Sequence, residues 1–460
     1  MDQINWKKVI NLKYMRFYNR LLKKVILPLG DQFFGQPMMN RLHFLEQAQY
    51  FNEQELKILQ NKAFMTTLRE VASVPMYESM YRNAGVSVAD IKDVSDLHKL
   101  PVVTKDMLRN NYPEKTTRKT GHKQYQISTS GSTGKNMFLS EDNYTAGWYR
   151  ASFLLGQTWS GWKFGDPHLQ TGMKPNRGIQ KRLKDDLLKC HYFSAFDLSD
   201  EKLNNMLDVI EKEKVDFIWG YPASLDLLAK RAYDQGWNRP LKAASTWGDT
   251  LSKNQRERIS RVFRVQVFDS YGVSEGLQIA AQCEEENYHI FMLDTVLEIL
   301  DDDDKEVQEN EIGRVVLTRL HAGATPLIRY EVGDLAMRAD DKICPCGRTF
   351  PLLGGVYGRQ PDMIYTPEGS RLIVYFFKGI LEQFKSIESF QIHQSEIGAI
   401  TLLIVPHGQE KVDQNQIKKA LYEKGTGGLL INIEIVNEIP LNKTGKRKFV
   451  INTMPENERF

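Results

Sequence analysis

The stretch of sequence that decides the fold begins with VDFIW (Val215–Trp219), continues through SLDLLAKRAYDQ (Ser224–Gln235) and ends with RVQVF (Arg264–Phe268). The two outer segments are short and rich in β-branched and aromatic residues, as strands are, whereas the middle segment has the length of a helix. Similar segments alternate throughout residues 125–300. This alternation predicts βαβ units and a largely parallel sheet.

The regions on either side of this core have different patterns. Residues 53–112 are predicted to be mostly helical, with Asn52 as a helix cap. Within the core, Thr295–Leu300 and Gly313–Arg319 are predicted to form a hairpin around the acidic turn Asp301–Lys305. After Gly358 several strand-like runs flank a single helix. We therefore expect an α/β fold with a large N-terminal domain, in which mixed or parallel sheets are flanked by helices, and a small mobile C-terminal α+β domain. The expected divisions are an N-terminal helical region at 1–124, an α/β core at 125–357 and the small lid domain at 358–460.

Composition excludes several classes of protein. The 460 residues include 61 Lys and Arg against 58 Asp and Glu, and this net charge of +3 is too small to indicate a nucleic-acid partner. No apolar run approaches the roughly 20 residues that span a bilayer, and four cysteines are too few for a disulfide framework. We therefore expect a cytoplasmic protein with reduced thiols. The basic residues that interrupt any signal peptide are Arg16, Arg20, Lys23 and Lys24.

Residues 4–27 are predicted to form a basic amphipathic helix, because apolar residues recur at near-helical spacing with basic residues between them. Two interpretations stay open: the helix packs on its own domain, or it makes a peripheral contact with an anionic membrane surface. The apolar set is Trp6, Ile10, Phe17 and Leu21, and the basic set is Lys7, Lys8, Lys13, Arg20 and Lys24.

The first chemical signal is a loop rich in Ser, Thr and Gly that ends in a lysine. Such a loop offers backbone amides and hydroxyls to a polyphosphate, with the lysine as a mobile counter-charge. Its glycine spacing excludes a Walker loop. A flexible linker is the rival interpretation, which is weakened because the loop lies inside patterned sequence. The loop consists of Ser128, Thr129, Ser130, Gly131, Ser132, Thr133, Gly134 and Lys135.

The second signal, DSYGVSE (Asp269–Glu275), directly follows the apolar strand that ends at Phe268. Ligands bind in crevices at the carboxyl ends of such strands. Tyr271 would stack on a base, Ser274 would bond a phosphate oxygen, and Glu275 would hold Mg²⁺. The alternative is a tight turn with a helix-capping Ser-Glu pair.

Three shorter signals each combine a glycine with a charged residue. YEVGD (Tyr330–Asp334) ends in a lone carboxylate suited to a vicinal diol, Gly358-Arg359 lies at the expected domain junction, and PLNKTGK (Pro440–Lys446) presents lysines on a turn. Each of the three is weak alone, because a short glycine turn with a charge is common on protein surfaces.

The order and spacing of the five signals together resemble those of the adenylate-forming acyl-ligase superfamily. Within it, the sequence is most similar to the phenylacetate–coenzyme A ligases and the CapK-type proteins of capsular polysaccharide gene clusters. The resemblance covers nearly the whole chain. Three passages carry the closer similarity: VASVPMYESMYRNAG (Val71–Gly85), DLHKLPVVTKDMLRNNYP (Asp96–Pro113) and CPCGR (Cys344–Arg348).

The resemblance implies an ATP-dependent enzyme that joins a carboxylic acid to AMP, releases pyrophosphate and passes the acyl group to an acceptor, coenzyme A or an amine. Lys446, Glu275 and Arg359 would act in catalysis, with Mg²⁺ on Glu275. A non-catalytic nucleotide- or acid-binding relative is the other class that stays open. The residues implied to hold the nucleotide are the 128–135 loop, Gly248, Asp249, Asp269, Ser270, Tyr271, Gly272, Ser274 and Asp334.

One position departs from this resemblance. Relatives usually carry Asp or Lys two residues after the junction arginine, where the small domain swivels between half-reactions, whereas this chain has Pro361. Proline fixes its own φ and restricts the preceding residue. We therefore expect an altered hinge that affects the second half-reaction more than the first.

Three cysteines and a histidine predict a structural zinc site, because three thiolates and one imidazole make a closed tetrahedral set. The Cys-x-Cys spacing at 344–346 is less diagnostic than Cys-x-x-Cys, and three unpaired buried thiols are the alternative. The predicted ligands are Cys283, His289, Cys344 and Cys346, with Cys190 or His191 as replacements for His289.

The acid and the acceptor stay open at the level of sequence. Trp219–Pro222 and Trp247 would line a pocket for a planar or apolar acid, or they belong to the core. The resemblance to CapK-type proteins suggests decoration of a surface polysaccharide, with the enzyme close to lipid-linked sugars at the inner membrane face. The expected partners are a small carboxylic acid, ATP and a thiol or amine acceptor, and a homodimer is left open.

Overall fold

A computed structural model provides the structure of the protein. It describes residues 17–129, 137–172, 177–195, 198–359, 363–367, 371–373, 377, 380–381, 383–424, 426, 428–440 and 449–455.

The N-terminal part of the described chain is helical. Helix α3 begins at a capping box, in which the Asn52 side chain accepts from Glu55 N and the Glu55 side chain accepts from Asn52 N; the predicted cap at Asn52 is therefore confirmed. A proline occupies the first position of α4, where its missing N–H costs no hydrogen bond. The elements are a π-helical turn Leu22–Ile26, α1 Leu27–Phe34, α2 Met38–Ala48, α3 Glu53–Val71, α4 Pro75–Asn83, two 3₁₀ turns Val88–Asp90 and Val94–Lys99, and α5 Lys105–Asn111.

An eleven-stranded mixed sheet forms the centre of the large domain. Five strands are parallel, in the order β4-β3-β5-β6-β7, and the rest continue antiparallel as β8-β9-β13-β12-β11-β10. The strands are β3 His168–Gly172, β4 Cys190–Ser194, β5 Phe217–Gly220, β6 Ala243–Trp247, β7 Gln266–Val273, β8 Leu277–Gln282, β9 Tyr288–Ile290, β10 Thr295–Leu300, β11 Ile312–Arg319, β12 Tyr330–Arg338 and β13 Leu352–Arg359.

Helices cover both faces of the parallel strands. Successive side chains of a strand point to opposite faces, and apolar side chains on each face pack against a different set of helices. Ile218 and Val267 belong to one apolar cluster, which includes residues of α8, α9 and α10. Phe217 and Phe268 belong to another, which includes residues of α6 and the N-terminal helices. These helices are α6 Asn143–Trp159, α7 Ile179–Leu188, α8 Asp200–Lys212, α9 Pro222–Asp234 and α10 Lys253–Phe263.

Two smaller parts complete the fold. Strands β1 Gln124–Thr129 and β2 Met137–Asp142 form an antiparallel hairpin. The C-terminal part has its own apolar cluster and a four-stranded sheet in the order β18-β17-β16-β19. Its elements are β14 Met363–Tyr365, β15 Arg371–Ile373, β16 Ile387–Glu396, β17 Ala399–Pro406, α11 Gln414–Glu423, β18 Leu430–Ile435 and β19 Val450–Asn452.

The predicted class of fold is confirmed: a large α/β domain with a mixed sheet precedes a small C-terminal domain. The hairpin predicted from 295–300 and 313–319 is also confirmed, as β10 paired with β11. The sheet is less parallel than expected over 125–300, because β8, β9 and β10 all run antiparallel to their neighbours. Among the described residues, no helix is long and apolar enough to cross a membrane.

Candidate functional site

The candidate site lies where the parallel strands end. Gly220, Trp247 and Val273 are the last residues of β5, β6 and β7, and these strands are hydrogen-bonded neighbours. Their carboxyl ends therefore meet at one edge of the sheet, where ligand crevices form in α/β folds. The chain then turns back at Ser274–Gly276 into β8.

Tyr271 connects this edge to the antiparallel half of the sheet. Its hydroxyl donates a 2.8 Å hydrogen bond to Asp334 Oδ2, and its ring is buried. Asp334 lies in β12 opposite Arg359 of β13. Three residues that were predicted from separate signals are thus brought to one place in the fold.

The carboxylate of Glu275 is buried beside two polar groups. Tyr330 Oη donates to Glu275 Oε1 at 2.7 Å, and Lys105 Nζ lies 3.9 Å from the same oxygen. Ser274 Oγ lies 3.4 Å from Glu275 Oε2. The surroundings of Glu275 therefore combine a cation, a phenol and a hydroxyl.

Arg319 holds the turn that carries Glu275 in place through hydrogen bonds to its backbone. This guanidinium donates to the backbone oxygens of Glu275 at 2.9 Å and Gly276 at 2.7 Å, and it lies 3.3 Å from Glu141. Gly276 has φ +83°, and a Cβ there would collide with Glu141. The turn therefore needs glycine at this position.

Asp269 and Ser270 are bound within the sheet. The Asp269 carboxylate accepts from Thr246 Oγ1 at 2.5 Å and from Tyr288 Oη, and burial raises its pKa. Ser270 Oγ donates to Thr246 O at 3.2 Å. These side chains tie β6, β7 and β9 together, so any contact they make with a nucleotide would come in addition to these bonds.

Gly248 and Asp249 directly follow β6. Gly248 has φ +76°, and a Cβ on it would lie 2.7 Å from the Tyr221 ring. The Asp249 carboxylate accepts from Thr250 N at 2.9 Å. The backbone therefore comes close to the Tyr221 ring at the edge of the site, and glycine is required there.

The three predicted wall aromatics differ in their surroundings. Trp219 is buried and packs 4.8 Å from Trp162, between ring centroids, so it belongs to the core. Tyr221 and Trp247 are only half-buried. The Trp247 and Phe153 rings pack edge to face, with 5.3 Å between their centroids.

Contacts between the two domains centre on Glu388 of β16. Its carboxylate lies 2.5 Å from Lys230 Nζ and 2.8 Å from Arg258 Nη2, both on the large domain, and 2.9 Å from His407. Burial alone would raise the pKa of Glu388, but the neighbouring Lys230, His407 and Arg258 lower it to about 2. Nearby, Asn254 Nδ2 donates to Ile387 O at 3.3 Å.

Several predicted positions lie outside the described residues. These are 4–16 of the predicted N-terminal helix, 130–135 of the Ser/Thr/Gly loop, Pro361, Lys443 and Lys446. Ser128 and Thr129 are described as the last residues of β1, opposite Phe138 and Met137. The loop therefore connects the two strands of the β1–β2 hairpin.

A second cluster lies at the opposite edge of the sheet, where β8 ends. Four ligand atoms lie within 4.8 Å of one another, from Cys283, His289, Cys344 and Cys346. Cys283 Sγ is 3.6 Å from Cys344 Sγ, and Cys346 Sγ is 3.2 Å from His289 Nε2. Sulfur atoms on one tetrahedral zinc ion stand about 3.8 Å apart, so the spacing fits the metal.

The surroundings of this cluster fit a metal as well. His289 Nδ1 donates to Phe350 O at 2.9 Å, which directs the lone pair of Nε2 toward the sulfurs. Asn287 Nδ2 donates to Cys344 Sγ at 3.3 Å, and Arg348 N donates to Cys346 Sγ at 3.5 Å. The alternative ligand Cys190 lies in β4, outside this cluster, and its thiol donates a hydrogen bond to Gln170 Oε1.

Four functional candidates were not predicted from sequence: Lys105, Tyr330, Arg319 and Glu141. Two of them lie in quoted segments: Lys105 in DLHKLPVVTKDMLRNNYP, and Tyr330 at the start of YEVGD, where only the carboxylate of Asp334 was given a role. Arg319 and Glu141 reach the site through side-chain contacts with residues far away in the chain.

Comparisons with known proteins match two parts of the chain to protein families. A family model described as "AMP-binding enzyme" matches residues 188–321, and one described as "CapK C-terminal domain" matches residues 364–453. Protein CapK of Staphylococcus aureus is 24% identical over 426 residues, covering 90% of this chain and 93% of that protein. Phenylacetate-coenzyme A ligase of Escherichia coli is 26% identical over 329 residues, covering 67% and 72%.

Among solved structures, 2-hydroxyisobutyryl-CoA ligase shares the fold. In its postadenylation state it matches with a TM-score of 0.69 at 19% identity, covering 87% of this chain and 90% of that one. In its thioesterification state the TM-score is 0.58, and the match covers 88% of this chain and 91% of that one.

The fold and the matched families define an adenylate-forming ligase, an enzyme that uses ATP. The matched models and relatives support a place for the chain in the adenylate-forming superfamily, in the branch that contains CapK and the phenylacetate–coenzyme A ligases.

Proposed function

We propose that the enzyme activates a small carboxylic acid as its acyl-adenylate and transfers the acyl group to coenzyme A. A carboxylate oxygen of the acid attacks the α-phosphorus of ATP, and pyrophosphate leaves. The thiol then attacks the acyl carbon, and AMP leaves. The observation that carries the proposal is the convergence of Tyr271, Asp334 and Glu275 at the carboxyl edge of the parallel strands.

In this proposal the nucleotide lies along that edge. Tyr271 packs against adenine, and Asp334, held in place by the Tyr271 hydroxyl, accepts the ribose hydroxyls. The loop at 128–135 surrounds the β- and γ-phosphates. Gly248, Asp249 and the backbone of β7 lie at the edge of the base.

Several positive charges would stabilise the negative charge that builds up when the carboxylate of the acid meets ATP. Glu275 would bind Mg²⁺, and Lys105, 3.9 Å from its carboxylate, supplies a further positive charge nearby. Lys446 of the small domain would bridge the acid and the α-phosphate, with Arg359 at the ribose or phosphates.

The acid is proposed to be planar or apolar. Tyr221 and Trp247 are half-buried beside Gly248, next to the expected nucleotide position. Trp219 is not part of this pocket, because it is buried against Trp162.

The small domain is proposed to occupy the arrangement that serves adenylation. The better match to the postadenylation state of 2-hydroxyisobutyryl-CoA ligase, 0.69 against 0.58, supports this assignment. Its contacts with the large domain run through Glu388, Lys230 and Arg258. We infer that these ion pairs help to hold the arrangement.

Coenzyme A as the acceptor is supported by the similarity to phenylacetate-coenzyme A ligase. The second candidate is an amine in the biosynthesis of a surface polysaccharide. It is favoured by the similarity to CapK over 90% of the chain and by the CapK-type small domain.

We further propose that Cys283, His289, Cys344 and Cys346 hold a structural zinc ion. The set leaves no position for a substrate, as in structural rather than catalytic zinc sites. The ion would join the β8–β9 turn to the 344–346 segment.

The reaction is tested by a hydroxylamine-trapping screen across carboxylic acids, repeated with coenzyme A and with amines as acceptors. AMP and pyrophosphate as products support the proposal, and ADP would indicate a phosphotransferase. Hydroxamate formation without consumption of coenzyme A, together with acyl transfer to an amine, would select the second acceptor. No turnover with any acid would indicate a binding protein and overturn the proposal.

A further inference from the structure

The helix at the start of the described chain exposes a row of apolar side chains. Residues 17–34 are helical throughout. Phe17, Leu21, Val25 and Leu29 recur every four residues with 66%, 37%, 44% and 60% of their surface exposed. We call these four residues the apolar stripe. A single exposed apolar side chain is ordinary, but a contiguous row indicates an interaction surface.

The π-helical turn Leu22–Ile26 helps to keep the stripe on one face of the helix. An α-helix turns about 100° per residue, so positions four apart drift by about 40° per step. Over the three steps from Phe17 to Leu29 the drift would reach about 120°. A π-helical turn carries more residues than an α-helical one, and this turn falls inside the stripe, so part of the drift is removed.

The opposite face of the same helix already packs on the protein. Leu22 and Leu27 are buried in the apolar cluster beneath the helix. Asn19 Nδ2 donates to Asp166 Oδ1 at 2.9 Å, and Lys23 Nζ lies 2.7 Å from Glu46. The helix is therefore anchored by one face, and the apolar stripe belongs to the other.

A neighbouring helix adds a second exposed apolar pair. Tyr18 Oη donates to Leu187 O of α7 at 2.7 Å. On that helix, Ile179 and Leu183 are 78% and 63% exposed and stand one turn apart. Two helices that are in contact through Tyr18 and Leu187 thus each expose apolar side chains.

The charges around the stripe are mostly positive. Residues 17–34 contain three basic residues and one acidic residue. Arg20 and Lys24 are exposed next to the stripe, and Arg182 is exposed next to Leu183.

We propose that this face docks reversibly on an anionic lipid surface. The apolar side chains would enter the boundary between headgroups and acyl chains, and Arg20, Lys24 and Arg182 would meet lipid phosphates. A second copy of the chain fits less well, because two-fold pairing through one surface would bring like charges together. The proposal does not depend on which acid or acceptor the enzyme uses.

The test is co-sedimentation of the full chain with vesicles of phosphatidylcholine, either alone or mixed with an equal part of phosphatidylglycerol. Binding is expected with the anionic vesicles, and salt should weaken it by screening. The double variant Val25→Ser/Leu29→Ser should bind at least about tenfold more weakly, because it removes two aliphatic groups from the lipid contact. The control is Ile58→Ser/Leu430→Ser, which changes residues that are 60% and 73% exposed elsewhere, and it should bind like the parent.

A second variant, Arg20→Gln/Lys24→Gln, should lose affinity for anionic vesicles while keeping the fold, and it serves if the first variant unfolds. Pyrophosphate exchange of both variants should match that of the parent, so docking and adenylation are measured separately. No binding of the parent at low salt would overturn the proposal, as would unchanged binding of both variants. A dimer of the parent that dissociates in the Val25→Ser/Leu29→Ser variant, without lipid binding, would assign the stripe to a second copy instead.

Discussion

The hydroxyl of Tyr271 and the carboxylate of Asp334 form a 2.8 Å hydrogen bond across the mixed sheet, between β7 and β12. In the proposed mechanism this bond orients the group that receives the ribose. Tyr271→Phe keeps the ring face for adenine but removes the donor. We expect KM for ATP to rise about tenfold, as for the loss of one bond to a charged group, while kcat changes little.

The measurement is ATP–pyrophosphate exchange over a range of ATP concentrations. Tyr77→Phe is the matched control, because it removes a buried phenol that donates to Pro326 O at 3.0 Å, and its KM should stay at the parent value. An unchanged KM in the Tyr271 variant would remove Asp334 from the proposed ribose site.

Lys446→Ala is expected to slow adenylation about a hundredfold, because one positive charge is lost from the transition state. The fold should be unaffected, as judged by the unfolding midpoint. Lys443→Ala, on the same segment, is the control and should retain exchange near the parent rate. If Lys446→Ala exchanged pyrophosphate like the parent, the assignment would be wrong and Lys443 would become the candidate.

Purified protein is expected to contain one zinc ion per chain. Cys344→Ser should lose the ion and lower the unfolding midpoint, because the metal stabilises only the folded chain. Cys190→Ser is the control, because Cys190 lies in β4 outside the cluster. Elemental analysis that finds well under one zinc per chain in the parent would contradict the site.

Glu388→Gln should weaken the contact between the domains, because the neutral amide no longer pairs with Lys230 and Arg258. We expect a several-fold slower adenylation and an unchanged or faster transfer from preformed acyl-adenylate, measured in single-turnover experiments. Glu396→Gln, an exposed residue of the same strand, is the control. Equal slowing of both half-reactions would argue that Glu388 only stabilises the fold.

A pH dependence of stability is expected from Asp294. Burial raises its pKa from 3.8 to about 7. Between these two values the unfolded chain loses a proton that the folded chain keeps, so stability falls as pH rises from about 4 to 7, by roughly 4 kcal/mol for a shift of this size.

Asp294→Asn keeps a polar partner for Ser152, which lies 3.3 Å away, but has no proton to lose. As pH rises from about 4 to 7, the unfolding midpoint of the parent should therefore fall relative to that of the variant. A difference that stays constant with pH would show that Asp294 titrates normally.

Much of the fold could be predicted from local sequence. Alternating segments indicated the α/β class, and the turn at 301–305 between two apolar runs indicated the β10–β11 hairpin, which is observed. The antiparallel course of β8 and β9 was not predicted, because a buried strand of either direction is a short apolar run.

The site could be predicted only where its chemistry repeats a short motif. Asp334, Tyr271 and Glu275 each stand in a recognisable segment, and the structure brings them to one edge of the sheet. Arg319 and Glu141 had no such signal, because their roles come from contacts with residues far along the chain. For Trp219 the sequence left two interpretations open, a pocket wall or the core, and its burial against Trp162 assigns it to the core.

The sulfur and imidazole cluster lies at the far edge of the sheet from Tyr271 and Glu275, since β8 runs from the Glu275 turn to Cys283. If the cluster holds zinc, a chelator would lower the fraction of enzyme molecules that are folded. The turnover number of each folded molecule would stay the same. A preparation that has lost part of its metal should show a lower maximal velocity with the same Michaelis constants. Titration of active sites, normalised to zinc content, would give one constant turnover number for all such preparations.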